Sequence, residues 1–163
     1  MPVTRPFDES RSSTHEWETP GWLFDLLHQE FKFAHDVCAM PWNAKCAEYF
    51  SPTEDGLEQP WEGACWMNPP YGRELATWLS KSWAASRCGA TVVALVPART
   101  ETAWWHDYVM QADEVRCIRG RLHFSNSDLP ARCASVIVVF RPGSNGPPRL
   151  GSVVRPGVGE IVE

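Results

Sequence analysis

Residues 65–74 read CWMNPPYGRE, an apolar run stopped by two adjacent prolines, with an amide before them and a phenol after. Proline gives no N–H to a sheet ladder and holds φ fixed. Pro69 and Pro70 must therefore lie beyond the end of the strand that GACWM, residues 63–67, predicts. Past the turn, RELATWLSKSWAASR places Leu75, Trp78, Leu79 and Trp83 on one side and predicts an amphipathic helix of about 14 residues. ATVVALVP, residues 90–97, follows as a continuous apolar run of the kind buried on both faces of a parallel sheet. Strand, tight turn, helix and buried strand in that order make the chain an α/β protein.

The flanking segments extend this pattern. Upstream, Thr19 as a cap and Pro20 in the first turn predict the start of a helix. Its apolar residues Trp22, Phe24, Leu26, Leu27 and Phe31 recur at helical spacing until it ends near Glu30. FKFAHDVCA predicts a short strand whose last polar residue is Asp36. Residues 40–62 are irregular: NAKCAEYF reads as a helical turn running into a short strand, and SPTEDGLEQP as a loop. Downstream, TETAWWHDYVMQA predicts a helix, and EVRCIRG and CASVIVVF predict two strands joined by the polar loop RLHFSNSDLPAR. The expected architecture is a three-layer α/β sandwich with a mostly parallel sheet, ending in a hairpin that adds an antiparallel C-terminal strand. Residues 1–15 read as a mobile arm, 16–141 as one domain, and 142–163 as an extended or disordered tail.

A chain of 163 residues, 44% hydrophobic and 21% charged, fits one globular domain with a real core. It has no run of about 18 apolar residues to span a bilayer and no apolar N-terminal stretch of the secretory kind, so a cytoplasmic location is expected. The six cysteines, Cys38, Cys46, Cys65, Cys88, Cys117 and Cys133, form no C-x-x-C pair; reduced, mostly buried thiols are expected, with no metal site and no disulfide framework. Nine tryptophans exceed what a small core needs, and some are expected to stack on a planar ligand. The net charge of −5 is unevenly spread: residues 1–70 carry four Lys and Arg against twelve Asp and Glu, residues 71–163 eleven against eight. A polyanion is expected to meet the second half.

In sheets of this type ligands lie outside the carboxyl ends of the strands, and both Asp36 and Asn68 fall at such ends. The NPPY turn suits an exocyclic amine. Such a nitrogen is a weak nucleophile because its lone pair is delocalised. Acceptors on its two N–H groups, the Asn68 side-chain oxygen and the Pro69 carbonyl, would localise the pair and aim it at an electrophile. Two prolines hold the carbonyls outward, Tyr71 offers a ring on which a base can stack, and Gly72 lets the backbone pass close to the ligand. A base inside a duplex would first have to be flipped out.

Taken together, EWETPGWLFDLL, FKFAHDVCAMPWNAKCAEYF, DGLEQPWEGACWMNPPYG, VVALVPARTETAWWH and the RGRLHF and ASVIVVF pair resemble the small phage-type, Dam-like DNA N6-adenine methyltransferases over residues 16–141. The resemblance implies a Rossmann-like class I methyltransferase fold, S-adenosylmethionine as donor and adenine in double-stranded DNA as acceptor, in the cytoplasm of a bacterial or phage-infected cell. By position Asn68, Pro69, Pro70 and Tyr71 match the amine-binding motif. Thr19 and Pro20 resemble the segment at the methionine end of the cofactor. Asp36 resembles the acidic residue of the cofactor strand, Asn43 lies in a family-like NAKC segment, and Asp55 resembles the position that receives the cofactor's adenine amino group. DVCAMPWN lacks the glycine-rich turn usual after the first strand, and the small residues Cys38 and Ala39 stand there instead. Arg99, in PART at a strand end, and Arg119 and Arg121 are candidate DNA contacts, while His106 has no role in such a mechanism. With no inserted recognition domain, base readout falls to loops such as RLHFSNSDLPAR or to a second subunit of a homo-oligomer. Two alternatives stay open: a methylase of another amine, on an RNA base or a protein glutamine, and a catalytically silent DNA-binding protein of the same fold.

Overall fold

The computed structural model describes residues 17–157; the expected N-terminal arm lies outside them. The elements in chain order are α1 (Gly21–Phe31), β1 (His35–Asp36), β2 (Glu48–Tyr49), a 3₁₀ turn (Gly56–Glu58), β3 (Ala64–Met67), α2 (Leu75–Arg87), β4 (Thr91–Pro97), α3 (Ala103–Asp107), a second 3₁₀ turn (Val109–Gln111), β5 (Glu114–Ile118), β6 (Ser135–Phe140) and β7 (Arg149–Val153). The strands form one sheet in the order β2-β1-β3-β4-β6-β5-β7, parallel throughout except for β6, which runs against both β4 and β5.

The apolar runs in β4 and β6 follow from burial on both faces. Val92, Ala94 and Val96, paired with Phe140, Val138 and Val136, face a core shared with Leu75, Trp78 and Leu79 of α2 and Trp105 of α3. Val93 and Leu95, paired with Val139 and Ile137, face the opposite core with Leu23, Phe24 and Leu27 of α1. These two cores, one on each side of a central sheet, make the expected three layers. The fold is Rossmann-like, with a mostly parallel sheet and one antiparallel strand.

Several elements differ from expectation. The antiparallel strand β6 is inserted between β4 and β5, and residues 149–153, expected in the tail, extend the sheet as β7, parallel to β5. Thr19 does not cap α1: Pro20 occupies the cap position with no side-chain hydrogen bond, and the threonine hydroxyl is turned elsewhere. The expected long helix over TETAWWHDYVMQA is only α3 and a 3₁₀ turn, broken at Tyr108 (φ −122, ψ −49). Its aromatic and β-branched residues are weak helix formers, and burial of Trp105 and Val109 sets the path instead. Cys88, Cys117 and Cys133 are exposed, against the expectation of mostly buried thiols. They fall just past a helix end, near the end of β5 and in a loop.

Candidate active site

β1 and β3 are adjacent and parallel, with Asp36 in register with Trp66, so Asp36 and Asn68 reach the same carboxyl rim as expected. The rim opens on a cavity of about 370 Å³. Its walls include Asn68 and Pro70 of the NPPY turn and, from the loop after β1, Cys38, Ala39 and Asn43. Asp55 and Gly56 close it from the loop after β2, and Trp17 and Trp78 supply flat apolar surface. Of the residues expected to bind a cofactor, Cys38, Ala39, Asn43 and Asp55 line this cavity. Thr19 and Asp36 line a smaller recess of about 20 Å³ that shares Trp17, Cys38, Asn43 and Asn68 with it. Pro20 lines neither.

Asp36 acts on the wall rather than within it. The residue is 2% exposed, and its carboxylate accepts N–H groups from Cys38 at 3.3 Å and Lys45 at 3.0 Å, tying together both ends of the loop after β1. Burial outweighs these bonds and pushes its pKa up to about 6. Asn43 Oδ1 accepts from Met40 N at 2.8 Å inside the same loop. Among the described residues of positive φ, none lies between 37 and 45, so this turn requires no glycine. The close approach occurs instead at Gly56, where a Cβ would stand 2.1 Å from the Val37 carbonyl oxygen. Asp55, at φ 53, accepts from Leu57 N at 3.2 Å, and Trp61 Nε1 donates to the Gly56 carbonyl at 2.8 Å.

Sequence reasoning missed Gly56, Trp78, Ser51 and Glu74 as cavity residues. Only the Ser51-x-x-Glu54 pattern carried a local signal. As in a capping box, the Glu54 carboxylate accepts from the Ser51 N–H at 2.8 Å and from its hydroxyl.

At the NPPY turn the Asn68 Nδ2 group donates to the Trp17 carbonyl at 2.5 Å and to Thr19 Oγ1 at 3.0 Å, which uses both of its hydrogens. Its oxygen is buried without a partner, as is the Tyr71 hydroxyl. An orphan acceptor of this kind costs roughly 1–3 kcal/mol, which an incoming N–H would recover. Pro69 is buried, and its carbonyl accepts no backbone hydrogen bond from the described residues. Burial holds the Tyr71 phenol far above its ordinary range, so it stays neutral. Its ring meets Phe124 edge-on at 6.3 Å, and Phe124 also stacks on Trp17 at 5.2 Å. Because Asn68 Oδ1 has essentially no accessible surface, a substrate reaches it only by shifting a neighbouring side chain.

Arg99, Arg119 and Arg121 are exposed and follow the carboxyl ends of β4 and β5, on the same rim as Asn68. Arg99 pairs with Glu101 at 3.0 Å, whereas Arg119 and Arg121 form no ion pair with the described residues. Exposed His106 contacts the Thr100 carbonyl at 2.9 Å. Among the described residues no helix is long and apolar enough to cross a membrane.

A family model described as DNA N-6-adenine-methyltransferase (Dam) matches residues 8–153. A DNA N-6-adenine-methyltransferase of Haemophilus phage HP1 is 34% identical over 122 residues, covering 72% of this chain and 70% of the relative. The extent of the family match and the identity to the phage enzyme show that the chain belongs to the DNA N-6-adenine-methyltransferase (Dam) family.

Proposed function

We propose that the chain transfers a methyl group from S-adenosylmethionine to N6 of an adenine flipped out of double-stranded DNA. The observation that carries the reading is the Asn68 amide, whose two hydrogens are engaged while its oxygen is left without a partner at the strand end. Adenine N6 has two N–H donors and a delocalised lone pair. With Asn68 Oδ1 accepting one donor and the Pro69 carbonyl the other, the nitrogen is drawn toward tetrahedral geometry and its lone pair turned away from both acceptors. Tyr71 gives the flipped base a neutral ring to stack on, and unstacking that base from the duplex costs a few kcal/mol.

The adjacent cavity, about 370 Å³, has the size of a small-molecule site and suits the donor. Cys38, Ala39 and Asn43 would hold it from the loop after β1, and Asp55 would accept from an amine or ammonium on it. Gly56 keeps that wall free of a side chain. When bound, S-adenosylmethionine supplies a methyl group made electrophilic by its sulfonium. The chain's own contribution is positioning: acceptors fixed before the reaction and an apolar wall of Trp17 and Trp78 that excludes water. No imidazole or thiolate is required, because the N6 proton is lost to water after transfer. Arg119 and Arg121 would contact phosphates along the rim.

Incubating the protein with methyl-labelled S-adenosylmethionine and unmethylated duplex DNA, RNA or protein, then digesting the products, tests the reading. Label in N6-methyladenosine from DNA is the expected result. Label in RNA or protein alone would replace the DNA reading, and donor binding without transfer to any of them would point to a silent DNA-binding member of the fold.

A further inference from the structure

We infer that Thr19 is a positioning residue for the transfer: its hydroxyl, with the Trp17 carbonyl, holds the Asn68 amide in the orientation that presents Oδ1 to the substrate amine. Its kinetic consequence rests on the adenine reading above. The two ends of an asparagine amide are nearly the same size, so a half-turn exchanges acceptor and donor at little steric cost. Turned that way, Asn68 would offer N–H groups to an amine that also offers N–H groups. The surroundings select the other orientation. The Trp17 carbonyl can only accept and lies 2.5 Å from Nδ2, and Thr19 Oγ1 takes the second hydrogen at 3.0 Å. A flipped amide would set its oxygen against the Trp17 carbonyl oxygen.

Thr19 is suited to this by its own setting. It is 2% exposed, so water does not readily replace its hydroxyl. Its segment is tied to the loop between β5 and β6: Ser125 N donates to the Glu18 carbonyl at 3.0 Å, and Glu18 N donates to Asn126 Oδ1 at 3.0 Å. Thr19 lines the small recess beside Asn68 and not the large cavity, which separates this role from contact with the donor.

The test compares T19V, which keeps the shape but removes the acceptor, with T19S, which restores it. Loss of one neutral hydrogen bond predicts a kcat about tenfold lower in T19V, with KM for donor and DNA within about twofold, and T19S near wild type. In ¹⁵N-resolved spectra the Asn68 side-chain amide protons should exchange faster with water in T19V and not in T19S. If T19V does not fold, T19A makes the same comparison. Wild-type kcat in T19V, a T19S as slow as T19V, or a higher donor KM at unchanged kcat overturns the inference. The amide spectrum needs no substrate: if the wild-type chain methylates no adenine, the adenine reading fails, and an unchanged Asn68 amide in T19V still overturns the orienting contact.

Discussion

Asn68 does two things with one amide: its nitrogen ties the end of β3 to residues 17–19, and its oxygen is left as a buried acceptor without a partner. Replacing it by alanine removes the acceptor and little of the cavity wall. In N68A, transfer is expected to fall by about 10²–10³ or more while calorimetry still detects donor binding; near-normal turnover would contradict the assigned role. Gly56 is a different kind of position. An added methyl would overlap backbone, the Val37 carbonyl at 2.1 Å, where no rotamer change can relieve it. G56A is expected to lose about 1–3 kcal/mol in urea unfolding and to raise the donor KM. Asn68 to Tyr71 could be picked out as candidates in the sequence because the proposed chemistry lies in one contiguous turn. Gly56 and the orienting role of Thr19 could not, since each depends on which loop the fold brings beside β1 or β3.

Among the elements, the loop after β1 depends most on a single side chain. Asp36 receives the N–H groups of Cys38 and Lys45, and burial raises its pKa from an ordinary 3.8 to about 6. Between these values the folded chain holds a proton that the unfolded chain has released. The raised pKa therefore contributes stability that is complete below about pH 4 and lost as pH rises through about 6. A shift of this size is on the order of 3 kcal/mol. In urea unfolding, the stability of wild type relative to D36N should fall by about that amount between pH 4 and pH 7; parallel pH profiles would refute the burial account. The strands most legible in the sequence, β4 and β6, are continuous apolar runs because both faces are covered. β7 was not legible: of its five residues only Val153 is buried, and Leu150 is 80% exposed, so a backbone ladder with β5 defines it and no side-chain pattern does. α3 was overestimated because periodic aromatics suggest a helix while tertiary packing stops it after Asp107.

Across the whole molecule, arginines of the second half stand at both rims of the sheet. On the rim away from the site, Arg116, Arg141 and Arg149 bind Glu30, Asp113 and Glu114, and Arg116, followed by Arg141, holds Glu114 down to about 2. Arg119 and Arg121 lie on the carboxyl rim shared with Asn68, with no such partners among the described residues. Replacing both by alanine is expected to weaken DNA binding evenly across sequences and to reduce the slope of log K against log salt by about 1–2. An unchanged slope would exclude phosphate contact at these positions. The central claim, that Asn68 presents an acceptor to adenine N6, is tested most directly by counting N6-methyladenosine in duplex DNA after reaction with labelled S-adenosylmethionine, for wild type and N68A side by side. The account predicts label in that nucleoside with wild type and almost none with N68A, at similar donor binding. Equal label with both proteins, or label with wild type only in RNA or protein, would contradict it.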